Sequence, residues 1–121
     1  MAEVPVVAAE VEMLRRVYDA FNRREIETVL AAMNPDVDWP NGMEGGRENG
    51  TAAVRNYWRR QFEILDPQVS PQGFATEPDG RVTVTVHQVV HDKNGKLLVD
   101  QIIHHVYEFR DGLIRRMEIR N

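Results

Sequence analysis

The chain of 121 residues contains no cysteine and a single serine, Ser70. No disulfide framework or thiol nucleophile is therefore available, and a serine-based hydrolytic triad is excluded. Gly42, Gly45, Gly46 and Gly50 cluster, but not at the spacing that cradles phosphates, so a nucleotide loop is excluded too. No apolar run is long enough to cross a bilayer, which argues against a membrane partner. The first residues, Met1-Ala2-Glu3-Val4-Pro5, lack the basic start and apolar core of a secretion signal, and a cytoplasmic location is expected. Nor is there a basic surplus. Fifteen Lys and Arg against nineteen Asp and Glu leave a net charge of −4 and give no electrostatic reason to expect nucleic acid binding. The remainder is the composition of an ordinary globular chain, 42% hydrophobic and 28% charged, at a length that suits one domain spanning 1–121.

Apolar periodicity locates the elements. Leu14, Val17, Tyr18 and Phe21 recur at the spacing of one helical face, placing a helix over Glu10 to Asn22. Ile26, Val29, Leu30 and Met33 repeat that spacing, and Asn34-Pro35 is expected to end this second helix, because proline disfavours helical geometry in the residue before it. Asp36 to Pro40 alternates as a strand does, and the glycines of 41–46 read as a connection. A third helix is expected to start near Thr51, capped by Asn49 or Thr51, and to bury Val54, Tyr57 and Trp58. Beyond Leu65 the turn signals Pro78-Asp79-Gly80, Asn94-Gly95 and Asp111-Gly112 divide stretches rich in Val, Ile, Thr and Tyr. These read as antiparallel strands near 73–77, 81–92, 96–109 and 113–120. Helices followed by strands imply an α+β fold.

A two-residue turn at Asn94-Gly95 makes pairing checkable: Gln88 faces Gln101, Val86 faces Ile103 and Val84 faces His105. One sheet face then carries Val82, Val84, Val86, Val90, Val99, Ile103, Tyr107 and Phe109, and with them only three strongly polar side chains, Gln88, Gln101 and His105. That face is expected to meet the helices. The other bears Thr83, Thr85, His87, Val89, His91, Asp100, Ile102, His104, Val106 and Glu108, too polar for a core and too apolar for a freely solvated surface. A second copy of the chain is its expected cover, in a homodimer.

Three polar groups on an aliphatic face have two readings. His105, with Gln88 and Gln101 near it, is either a polar patch inside an apolar pocket, where an imidazole can donate, accept or transfer a proton, or a core histidine satisfied by a neighbour. All four histidines lie in this hairpin, yet no metal site is expected. His87 and His91 are separated by about 13 Å of strand, and His104 and His105 point to opposite faces. Asp36, Asp38, Glu44 and Glu48 fall on a strand edge or loop where solvation explains them.

The segment Asn49-Gly50-Thr51-Ala52-Ala53-Val54-Arg55-Asn56-Tyr57-Trp58, following a short strand with Val37-Asp38-Trp39, resembles the third helix of the NTF2-like superfamily. Two preceding helices and three long strands extend the likeness over most of the chain, with the SnoaL-like and ketosteroid-isomerase-like branches nearest. The resemblance implies a cone, with three N-terminal helices packed on a curved antiparallel sheet and a small apolar or polycyclic molecule held between them, without a cofactor. Ketosteroid isomerases place an aspartate base, a helix tyrosine and a strand donor in the cone. These positions correspond to Asn41, Val17 and His105, so that steroid isomerisation by that route loses its base and one donor. Aromatic wall positions correspond to Tyr57 and Trp58, and apolar ones to Met117 and Ile119. The epoxide hydrolase branch sets an arginine between aspartates. Arg115 has inward parity on the last strand, but no inward acid accompanies it. Dehydratases of the fold use histidine, which leaves His105 as the acid–base candidate with Asn41 or Tyr18 as partner. The expected lining is Val17, Tyr18, Trp39, Asn41, Tyr57, Trp58, Val86, Gln88, Gln101, Ile103, His105, Tyr107, Met117 and Ile119. The implied function is small-molecule binding with isomerase, dehydratase or cyclase chemistry at His105; the alternative is a silent domain for dimerisation or ligand sensing.

Overall fold

A computed structural model describes residues 4–120. The first helix, α1, runs over Val4–Asn22 and buries Leu14, Val17, Tyr18 and Ala20. It ends through Arg24, whose φ of 65° lets the Glu25 N–H reach back to the Ala20 carbonyl at 2.9 Å. The second, α2, is a single turn, Ile26–Leu30, shorter than its stripe suggests. Met33 keeps its buried position but belongs to β1, Met33–Pro40, because Met33 pairs with Ile114 across the sheet. Backbone pairing takes the residues that local periodicity assigned to the helix.

The glycine-rich stretch is a hairpin turn between β1 and a strand absent from the sequence reading, β2, Arg47–Asn49. Its ends are tied by Asn41 N–H to the Gly46 carbonyl and by Gly45 N–H to the Asn41 carbonyl. The third helix, α3, spans Thr51–Ile64 and buries Val54, Tyr57 and Trp58. Neither Asn49 nor Thr51 caps it. Gly50 occupies the N-cap at φ 88°, a backbone state that the L residues on either side would adopt only under strain, and its N–H bonds the Val37 carbonyl at 2.7 Å.

Four strands follow: β3 Leu65–Thr76, β4 Val82–Asp92, β5 Leu97–Arg110 and β6 Leu113–Arg120. The strand β3 begins eight residues before the expected 73, straight from the end of α3. Pro67 and Pro71 are compatible with it because β3 is the sheet edge, where a missing N–H leaves no partner unbonded. The six strands form one curved sheet in the order β2-β1-β6-β5-β4-β3. It is not wholly antiparallel, since β1 runs parallel to β6. Nor do all three helices precede the sheet: α3 comes after β1 and β2, so the α+β description holds with strands and helices interleaved in the first half.

The expected pairs Gln88 with Gln101, Val86 with Ile103 and Val84 with His105 are all present. The turn itself differs. Gly95, at φ 86°, closes it by donating to the Asp92 carbonyl, and the register slips where His91 pairs with Leu97, so Leu98 is an extra residue in β5. Leu14, Val37, Val54, Val82, Val84 and Ile114 are fully buried and belong to one core shared by the helices and the sheet. On the outer face Ile102 and Leu97 are about half exposed, but Val106, placed there by parity, is only 2% exposed. It lies between Thr83 and Glu118, and Glu118 belongs to a set of ion pairs with Arg81, Arg116 and Arg120 that covers it.

Candidate active site

Between the sheet and the helices lies a cavity of about 290 Å³, open at one end. The helix α1 sends in Val17, Tyr18 and Phe21, α3 sends in Tyr57, Trp58 and Gln61, and the strands supply Trp39, Gln88, Gln101, His105, Tyr107, Met117 and Ile119. Aromatic edges fit the walls together: Trp39 meets Trp58 edge-on at 5.6 Å, and Phe21 meets Trp58 at 5.4 Å.

At the floor three buried polar side chains form a chain. Tyr107 donates to the Tyr18 hydroxyl at 2.9 Å, and the Tyr18 hydroxyl lies 2.7 Å from Nδ1 of His105. The direction follows from satisfaction. If Nδ1 carried the proton, one of the two phenol O–H groups would have no acceptor among the described residues, at a cost of about 1–3 kcal/mol for a buried donor. Tyr18 therefore donates to Nδ1, and the imidazole proton sits on Nε2. That nitrogen has no protein partner among the described residues, and since His105 lines the cavity it is the ring atom left for a bound molecule.

Burial, assisted by the neighbouring His104, lowers the pKa of His105 from 6.5 to about 4, so the ring is neutral at physiological pH. Burial, then the adjacent Tyr107 phenol, holds Tyr18 well above its ordinary value, and burial raises Tyr107 as well. The floor is thus an uncharged donor site. Tyr57 is raised by burial, opposed by backbone N–H groups of Met43 and Gly42, and its hydroxyl accepts a hydrogen bond from Gln61 at 3.2 Å.

Asn41 is not part of the cavity wall. It is 4% exposed, and its amide is spent inside the 41–48 hairpin: Nδ2 donates to Glu44 and Glu48, and Oδ1 accepts from the N–H groups of Met43 and Glu44. Val86 and Ile103 are also absent from the wall, being fully buried in the sheet face between His105 and the Gln88–Gln101 pair. Arg115 leaves the inward face because a bulge in β6 pairs Glu108 with Arg116 but Phe109 with Ile114; its guanidinium donates to the Asp36 carbonyl. Gln88 and Gln101 bond each other, at 2.8 Å, and neither is a partner of His105. The expected partner Asn41 is likewise remote, while Tyr18 makes the bond. The helix hydroxyl that reaches His105 thus comes from Tyr18, one residue beyond the position assigned by resemblance.

Other wall residues escaped the sequence reading. Gln61 follows Tyr57 by one helical turn, a signal that was present. Pro67 and Val69 were missed with the first half of β3, and Leu98 faces the cavity through an irregularity that no alternation rule reveals. No group of His, Asp or Glu suitable for a metal exists among the described residues. Among the described residues no helix is long and apolar enough to cross a membrane.

Solved structures with the same architecture include an NTF2-like protein of unknown function from Burkholderia pseudomallei, 29% identical over 92% of this chain and 88% of that one, with a TM-score of 0.80. TerC, crystallised with polyporic acid, is 30% identical over 92% of this chain and 89% of its own, with a TM-score of 0.79. An LEH-like epoxide hydrolase from M. tuberculosis shares the fold at 18% identity, 93% and 81% coverage and a TM-score of 0.77. No curated protein matches the sequence. The model of the SnoaL-like domain matches residues 14–117, from within α1 to within β6, and so takes in all the elements that build the cone. With that span matched, the chain belongs to the SnoaL-like domain family, on an NTF2-like fold.

Proposed function

We propose that the cone binds a small, largely apolar or polycyclic molecule with an acceptor oxygen against Nε2–H of His105. The observation that carries this is the chain Tyr107, Tyr18, His105, which ends on an N–H without a protein partner among the described residues, in a largely apolar cavity. Val17, Trp39, Tyr57, Trp58, Met117 and Ile119 supply walls, and Tyr18 with Tyr107 fixes the imidazole tautomer. A neutral N–H held in place in a buried site stabilises charge that develops on a bound carbonyl, and it needs no reorganisation to do so. Isomerase, dehydratase or cyclase chemistry without a cofactor is open to such a site. The co-crystal of TerC with polyporic acid supports a search among related ligands.

The test is a thermal-stabilisation screen of ketones, hydroxylated aromatics, epoxides and polyporic acid. A ligand at about 100 times its Kd adds roughly 2.7 kcal/mol. For a substrate found in this way, His105→Gln should lower turnover on the order of 10²–10³-fold. Unchanged turnover removes His105 from catalysis. A screen with no hit favours the second reading, a silent dimerisation or ligand-sensing domain, which the low basicity of His105 also supports. Homodimerisation belongs to both readings, through the outer sheet face that bears Ile102 and Leu97.

A further inference from the structure

Among the described residues that line the cavity there is no Asp, Glu, Lys or Arg, and most of its neutral polar groups fall into two separate sets on the sheet. The floor set ends at His105. The second is the cross-strand pair Gln88 and Gln101, in which Gln101 Nε2 donates to Gln88 Oε1 at 2.8 Å. Val86 and Val90 flank Gln88 on its face of β4, and Val99 and Ile103 flank Gln101 on β5, so the amides interrupt two aliphatic runs. Their mutual bond uses one N–H and one lone pair. Two N–H groups of Gln88, one of Gln101 and the Gln101 carbonyl remain, a set able to meet a hydroxyl or a carbonyl. Gln101 is exposed, at the open end, whereas His105 is 7% exposed. The two lie on the same face of β5, about 13 Å apart along the strand.

We infer that Gln88 and Gln101 form a second polar subsite, and that the ligand is an elongated uncharged molecule with an acceptor oxygen at the His105 end and a hydroxyl or carbonyl at its other end, within reach of the glutamine amides. This rests on the floor site described under Proposed function. The middle of such a ligand is apolar, because the sheet face between the two sets carries Val86 and Ile103, and α1 lines the cavity with Val17 and Phe21. The inner end is uncharged, because a carboxylate buried there would meet no cation and lose its hydration without compensation.

Two probes differing by one group decide it: 4-acetylbiphenyl and 4-acetyl-4′-hydroxybiphenyl. Binding to the full chain is read from quenching of Trp39 and Trp58, both on the wall. One additional neutral hydrogen bond corresponds to about a three- to tenfold lower Kd for the hydroxylated probe. That ratio is expected to fall to about one in Gln101→Leu and in Gln88→Leu, while His105→Gln weakens both probes. Equal Kd values for the two probes in the wild type, both still weakened by His105→Gln, overturn the second subsite and leave the floor site standing. A preference that survives both leucine variants also overturns it. Failure of both probes to bind the wild type overturns the floor reading and this inference together.

Discussion

His105 shows how burial alone sets a residue's chemistry. Its pKa of about 4, against 6.5 when solvated, means the folded protein refuses a proton that the unfolded chain accepts. Above pH 6.5 both states are neutral and nothing is lost. As pH falls from 6.5 to 4 the unfolded state gains protons and the fold loses up to about 3 kcal/mol from this group. Urea unfolding of wild type and His105→Gln at pH 7.5, 5.5 and 4.5 should therefore show the wild-type advantage shrinking by that amount; an advantage independent of pH would mean the ring is not held neutral. Alternation in β4 and β5 was enough to turn Gln88, Gln101 and His105 inward. It was not enough to say that the glutamines bond each other, or that Tyr18 would find Nδ1, because those choices depend on a helix packed across the cone.

At the scale of elements, long strands were readable and short or irregular ones were not. The strand β2 has three residues, too few for any periodic signal, and exists because β1 offers an open edge. Prolines concealed β3, whose edge position no local pattern reports. In the hairpin 41–48, Asn41 stands where the resemblance puts a catalytic aspartate, and it holds the turn together with both ends of its amide. Asn41→Asp should accordingly gain no activity. It would replace two donors with a carboxylate beside Glu44 and Glu48, and a loss of roughly 1–3 kcal/mol is expected in the denaturation midpoint. A variant as stable as the parent would show that the amide network does not hold the hairpin.

For the whole molecule, the outer sheet face remains the feature to resolve. Ile102 is 54% and Leu97 51% exposed, beside His87, which is paired to Asp100 at 2.7 Å. If a second copy covers this face, sedimentation at neutral pH gives a dimer and Ile102→Arg shifts it to monomer; a wild-type monomer ends the proposal. The α+β class, the stripes of the first and third helices, the pairing of Val84, Val86 and Gln88 across the central hairpin and the shared face of Gln88, Gln101 and His105 were determined by the sequence, because a period of 3.6 or 2 decides which residues share a face, and burial of that face is the largest favourable term in folding. Tertiary structure alone decided the parallel contact of β1 with β6, the bulges that turn Leu98 inward and Arg115 away, and the bonded chain from Tyr107 through Tyr18 to His105. These join residues separated by up to 89 positions, and their bonds are won by geometry that exists only once the cone has closed.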